Sequence, residues 1–351
     1  MELIIKRPLW STQRRIQDST LDAPAEDRRL PRLTAQLYDW DNDLNVSPED
    51  GCAAMAGLNE GSTVLAEDPD YGEYCGSERA IAYRTIQNER KGVNVYGAFE
   101  YQLSDTLSWF ADVQLGRQTV KLLTGTNGNL AASDHMGWEF HDPQSTNNYR
   151  NKVFYNVGTE RYEIWSRQFT PEETDGLRNR MNSTTQKTLA VTTGLEGSFG
   201  DSWLWEAAYN HSEYKAEVKM PRIRAAAARA LFLGPLLGYD DDGYAMYDAD
   251  PARLFTTLTS AEFASIAAMS TWHPVAKNDN LSLTANTPSL FTLPAGDAGF
   301  AMAVEYGRQS YRINPDPLAL TEDAYYGPRY GDGSGERDHW SAAGELRLPL
   351  L

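Results

Sequence analysis

The strongest constraint in this sequence is a hairpin written three times. In VNVYGAFEYQLSDTLSWFADVQLGRQ (93–118), Val93, Val95, Phe99, Tyr101 and Leu103 alternate with Asn94, Glu100 and Gln102. After SDT at 104–106, Leu107, Trp109, Ala111, Val113 and Leu115 alternate with Ser108, Asp112 and Gln114. A period of two with one apolar and one polar face is a β-strand, and two strands joined by so short a polar turn form a hairpin. The pattern returns at 189–218, where GDS turns the chain between Phe199 and Trp203, and again at 281–312 around PAGDAG. A last alternating run closes the chain, with Trp340, Ala342, Gly344, Leu346, Leu348 and Leu350 on one face. Seven strands are thus predicted: 93–103, 107–119, 188–199, 203–217, 281–292, 299–312 and 339–350. An eighth is less clearly written near the start, within 1–15.

Between hairpins the connections are long: about sixty-five residues at 120–187, about sixty at 219–280 and about twenty-five at 313–338. Irregular connections of that length do not suit a compact soluble domain. Tight turns at one end and long polar loops at the other suit a transmembrane antiparallel β-barrel of the Gram-negative outer membrane, which has short periplasmic turns and longer external loops. Strands of eleven or more residues clear the ~9 to 11 that a tilted spanning strand needs. Tyr101, Phe199, Trp203, Trp205, Phe291 and Phe300 gather near strand ends, where interfacial girdles would put them. The alternative is a secreted soluble β-sandwich that binds or hydrolyses glycans, whose strands would alternate in the same way. A passive porin is disfavoured by the long loops.

Charge excludes one class. The chain carries 49 acidic and 32 basic side chains, a net charge of −17, so nucleic acid is not an expected partner. The longest apolar run, ALFLGPLLGY at 230–239, is about half of the ~20 residues a spanning helix needs. MELIIKRPLWSTQRR at the start is not read as a signal peptide.

Cys52 and Cys75 lie in a polar stretch remote from all five histidines, which argues against zinc. A local disulfide in an exposed loop, and hence an oxidising compartment, is the preferred reading; two unrelated free thiols are the alternative. DWDNDLNVSPED (39–50) puts Asp39, Asp41, Asp43 and Asp50 at positions 1, 3, 5 and 12 of a calcium loop, but Leu44 and Asp50 stand where the template wants Gly and Glu. A solvated acidic loop is the expectation there, and a surface turn for YDDDG at 239–243. FTPEE (169–173) and TSAEF (259–263) each spell a capping box, Thr170 with Glu173 and Thr259 with Glu262, and predict two short loop helices.

No nucleophile elbow, phosphate loop or HExxH zinc motif occurs. Glu100, Asp112, Glu196, Glu206, Glu305 and Glu345 lie on polar strand faces, where a soluble enzyme could pair them as acid and base; in a barrel they face the lumen. No catalytic residue, metal ligand or cofactor is assigned, and the ligand-binding residues are left open.

The wording of RQFTPEETDGL, TTGLEGSFGDSWLWEAAYNHSEY, FTLPAGDAGFAMAVEYGRQSYRINPDPL and GERDHWSAAGELRLPLL resembles the barrel portion of TonB-dependent outer-membrane receptors from about residue 80 onward. The resemblance implies a barrel of about 22 strands with a plugged lumen, and energised uptake of an iron chelate, a vitamin or a glycan. It implies partnership with outer-membrane lipid, and with the TonB system only in a full-length receptor that has its plug. That family's signal peptide, plug and closing strands are not found in 1–351. The expectation is therefore a partial barrel domain, not functional alone, forming an incomplete arc of seven or eight strands. Loops 121–187 and 219–280 would face outside, and 340–350 would be an exposed edge.

Overall fold

The computed structural model describes residues 31–79, 83, 85–123, 153–200, 202–321, 324–325 and 331–350. The suggested strand within 1–15 and the opening segment lie outside them.

Following the chain, β1 (Arg32–Asp39), β2 (Leu44–Asn45), β3 (Val64–Asp68) and β4 (Gly72–Ser77) precede the first hairpin, with a single helical turn α1 (Leu58–Gly61) between β2 and β3. The hairpin itself is β5 (Glu89–Ser104) and β6 (Leu107–Leu122). Short strands β7 (Phe154–Asn156) and β8 (Arg161–Arg167) lead to the second hairpin, β9 (Asn182–Phe199) and β10 (Trp203–Ile223). Then come α2 (Ala225–Phe232), β11 (Gly238–Tyr239), β12 (Ala245–Tyr247), α3 (Pro251–Leu254) and α4 (Ser260–Ile266). Last are β13 (Ala267–Trp272), β14 (Val275–Leu293), β15 (Gly296–Arg312) and β16 (Ser334–Arg347).

All seven expected strands form; six are longer at their loop end than the alternation predicts, β15 gains residues only at its turn end, and β16 stops at Arg347 rather than running to 350. They make one antiparallel sheet in chain order, β5-β6-β9-β10-β14-β15-β16, with each strand paired to its predecessor. Gly200, at φ 59°, supplies the left-handed residue of the second tight turn. Above Lys215 the partner of β10 changes from β14 to β13. The break falls at Pro274, which has no N–H to donate, while its carbonyl still accepts from Ala216 N at 3.0 Å.

The register lays the residues out in rows. One runs Tyr101, Trp109, Leu195, Ala207, Leu283, Val304, Ala342; the next runs Phe99, Ala111, Thr193, Tyr209, Leu281, Tyr306, Trp340. This face is apolar from edge to edge apart from Thr193, yet nothing among the described residues covers it: Trp340 is 78% exposed, Tyr101 64% and Leu281 56%. The opposite face carries mainly Glu, Asn, Gln, Ser, Thr and small residues, with a few aromatics; one row runs Glu100, Phe110, Gly194, Ala208, Ser282, Glu305, Ser341. The sheet does not close, and β5 and β16 each have one unpaired edge among the described residues.

The apolar band runs obliquely across these rows. On β5 it begins at Val93, whose row passes through Arg117, Lys187, Lys215, Val275 and Arg312 to Ser334 on β16. On β16 the band begins at Trp340, six residues beyond Ser334. Over six strand-to-strand steps this averages one residue per step. The shift is taken on the first strands: the border passes through Leu115 and Leu189 on β6 and β9, and from β10 to β16 it stays in one row, Tyr209, Leu281, Tyr306 and Trp340.

Antiparallel parity puts every long connection at one end of the sheet, and there the structure departs from the sequence reading. The long connections are not irregular loops. Together with residues 32–77, the connections between β6 and β9 and between β10 and β14 build a second eight-stranded sheet, β11-β12-β7-β8-β1-β4-β3 with β2 beside β1. Alternation again decides its faces: Ala35 and Leu37 of β1, Trp165 and Arg167 of β8, and Phe154 of β7 point into one core. Phe169, α2 (Phe232), α3 (Leu254) and α4 (Phe263, Ile266) close that core, and among the described residues only Ile223, at the end of β10, enters it from a strand of the long hairpins. The two sheets therefore meet at the end of the large one rather than face to face.

Candidate functional site

The second sheet, here the loop layer, has the one substantial core, and its buried polar groups fix the loops to one another. Arg167 and Glu173 form a wholly buried ion pair, and Glu173 also accepts from Thr170 N at 3.0 Å and Leu258 N at 2.9 Å. Burial pulls the Arg167 guanidinium below its ordinary range, and the Glu173 charge opposes that. Asn156 donates to Glu163 and to the Ala249 carbonyl and accepts from Ala249 N, while Trp165 Nε1 donates to Glu163 at 2.8 Å. Segments 153–180 and 249–263 are thereby locked together through residues 93 apart (Asn156 and Ala249) and 85 apart (Glu173 and Leu258) in sequence.

These bonds explain why one predicted loop helix is absent. Thr259 and Glu262 form the expected capping box and start α4. The backbone bonds of Glu262 with Thr259 lead the causes that hold its carboxyl near 2. At 169–173 only half of the box forms, since Glu173 accepts from Thr170 N while the Thr170 hydroxyl is left without a partner. Glu173 is drawn instead into the core by Arg167, and the chain makes one turn before Asp175 at φ 55° and Gly176 at φ 91° redirect it.

Cys52 and Cys75 are bonded, with Cα atoms 5.7 Å apart. The expected location needs correction: the bridge is 7% and 0% exposed and belongs to the core, because β4 pairs with β1 and carries Cys75 inward beside Ala35.

The other face of the loop sheet, turned away from the core, is aromatic with acidic margins. Tyr38 meets Trp40 at 6.5 Å and Tyr71 at 6.2 Å between ring centroids, and Tyr162 meets Tyr155 and Tyr244, each at 5.1 Å. The two acidic stretches singled out in the sequence flank this surface. The Asp39 carboxylate is occupied by Asp41 N and Asn42 N, each at 3.1 Å, and by the Asn42 amide. Asp43 accepts from Tyr38 Oη. Among the described residues no group of three or more His, Cys, Asp or Glu could hold a metal ion. YDDDG is the expected surface turn, between β11 and β12, with Asp240 accepting from Asp242 N, Tyr244 N and, at 2.5 Å, Tyr162 Oη. That bond and the charges of Asp240, Asp242 and Asp41 push the Tyr162 phenol up to about 12. Sequence reasoning found both acidic stretches but had no means of joining them, because β1 and β11 are brought into one sheet only through β8, β7 and β12.

On the large sheet, Glu100, Asp112, Glu196, Glu206, Glu305 and Glu345 all lie on the polar face. Glu196 and Glu206 are direct cross-strand partners, and Glu305 lies across from Ser341. At the loop end of that face an open groove of about 650 Å³ is lined by Thr188, Ser212, Tyr214, Asn278, Gln309 and Arg337. Its polar groups bond one another: Arg337 donates to Gln309 at 3.0 Å and Tyr214 to Gln186 at 3.4 Å. The chemistry on offer is hydrogen bonding and ring stacking.

No family model matches the chain, and no curated protein matches it.

Proposed function

We propose that the seven long strands of the large sheet are a lipid-facing arc of a transmembrane β-barrel in a Gram-negative outer membrane. The chain would then act in transport of a small-molecule or glycan ligand, as the resemblance to TonB-dependent receptors implies, and not in catalysis. One observation carries the reading: an apolar face spans seven long strands without any covering layer among the described residues, above a polar opposite face. Water would oppose such exposure, since patches beyond a few hundred Å² are rare on soluble monomers. Lipid removes the penalty. Aromatics mark the borders of the apolar face: Phe199 stacks on Trp203 at 5.5 Å near the tight turns, and Tyr209, Tyr306 and Trp340 lie at the other limit beside His211, Arg308 and Asp338.

In this reading the loop layer is external, its aromatic and acidic face is the ligand side, and the grooved polar face looks into the lumen. The open edges of β5 and β16 require further strands for closure, because unpaired backbone is costly in lipid. A soluble β-sandwich would need the two sheets face to face, whereas they share only an end.

Fractionation of the expressed full chain tests the reading. Recovery with outer-membrane lipid or detergent micelles, with strand content kept, is expected. A monodisperse chain in detergent-free buffer, with the same circular dichroism, sinks it and favours the secreted glycan-binding alternative.

A further inference from the structure

Just beyond the apolar band, on the same face and at the loop end, the register puts cations side by side. Arg117 is the cross-strand partner of Lys187, and Lys187 is the partner of Lys215. Four residues further along, Lys121 and Lys219 both partner Ser183. Like charges directly opposite one another destabilise a sheet, so this arrangement works against the fold that displays it. Nearby carboxylates neutralise only part of it: Glu213 holds Lys215 at 2.5 Å and Lys277 at 3.4 Å, and Glu217 holds Lys219 at 2.7 Å. Arg117 and Lys187 are exposed and make no ion pair among the described residues. The setting sharpens the contrast, since residues 31–79 of the loop layer carry eleven acidic and two basic side chains.

We infer that Arg117, Lys187 and Lys215, with Lys121 and Lys219 behind them, form a docking surface for the phosphate groups of the lipid leaflet at the loop end. The inference rests on the barrel reading above and adds to it a lipid chemistry and the residues that select it. Continuity fixes the occupant: the patch adjoins the apolar band directly on β6 (Leu115, then Arg117) and β9 (Leu189, then Lys187), with His211 and Glu213 between Tyr209 and Lys215 on β10, and headgroups would begin there once acyl chains cover that band. Lys and Arg stems can lie along the apolar surface and carry their charges to the phosphates. Each cation near an anionic surface strengthens binding several-fold, an effect that salt screens.

Flotation of the full chain with vesicles tests this. Phosphatidylcholine alone reads the apolar band, and phosphatidylcholine with phosphatidylglycerol reads the patch. At low salt the combined Arg117→Gln, Lys187→Gln and Lys215→Gln variant is expected to lose on the order of 100-fold in partition to the anionic vesicles and nothing to the neutral ones. A control that removes Arg32, Arg79 and Arg347 in the same way should lose far less. Equal losses in both variants, or no loss in the first, overturn the inference. Displacement by millimolar inorganic phosphate at constant ionic strength also overturns it, since that marks a discrete anion site. Failure of the unaltered chain to bind neutral vesicles counts instead against the barrel reading, so the two failures are distinct.

Discussion

Arg167 and Glu173 face each other with both side chains fully excluded from solvent, six residues apart in the chain but on different structures, the end of β8 and the turn that follows it. Removing one partner of such a pair leaves an uncompensated buried charge, which costs about 3–5 kcal/mol. Glu173→Gln is therefore expected to destabilise the loop layer by that order, and Arg167→Met with Glu173→Leu by less. Denaturant unfolding followed by the fluorescence of Trp165, two residues before Arg167 in the same core, reads both. Equal losses in the single and double variants would show that the pair acts through packing alone.

The Cys52–Cys75 bridge closes a loop of sequence separation 23 and lies inside the same core. Chain entropy alone gives such a loop about 3 kcal/mol. Replacing both cysteines with serine adds two hydroxyls to an apolar site, so the loss is expected to exceed that of replacing both with alanine. Parallel melts of the two variants, with and without reductant, give the comparison; reductant should shift only the native chain.

Three phenols outside the large sheet hold their protons tightly. Tyr162 is held by its bond to Asp240, Tyr74 by burial and then by the Asp68 charge, and Tyr325 by burial and then by its bond to Asp316; each is raised to about 12. A group whose folded value lies above its unfolded value of ~10 adds stability that is complete below pH 10 and lost as pH climbs through 12. Loop-layer stability is thus expected to fall across pH 10 to 12. Ultraviolet titration of tyrosinate should show a late class that shrinks in Asp240→Asn. An unchanged titration in that variant would refute the Asp240 assignment.

The large sheet was legible because its information is local. Alternation gives the faces, and turns such as 104–106 and 294–299 join strands that are neighbours in the chain, so no long-range contact has to be known. The loop layer was not legible, because its strands are mostly two to eight residues long and pair across great distances, β1 with β8 and β7 in parallel with β12. Glu173 shows the same limit on a single side chain: as written it is a helix cap, and only the folded position of Arg167 makes it half of an ion pair. Thr259 and Glu262 have no such competitor, and there the local signal prevails.

The facing of the large sheet can be read from two adjacent residues of β14. Leu283 lies in the apolar row between Ala207 and Val304, and Ser282 lies in the polar row between Ala208 and Glu305. If lipid covers the apolar face, a charge at Leu283 must enter hydrocarbon, at a cost of about 2–4 kcal/mol near the midplane. A charge at Ser282 would instead meet the polar face with Glu305 one strand away. Leu283→Lys is therefore expected to lower insertion into vesicles by about thirtyfold or more, and Ser282→Lys to leave it nearly unchanged. In a water-soluble sheet the order reverses: Leu283→Lys would raise solubility and cost little, because Leu283 is already 42% exposed. Insertion yield for the pair, measured side by side, separates the two environments without knowledge of the ligand.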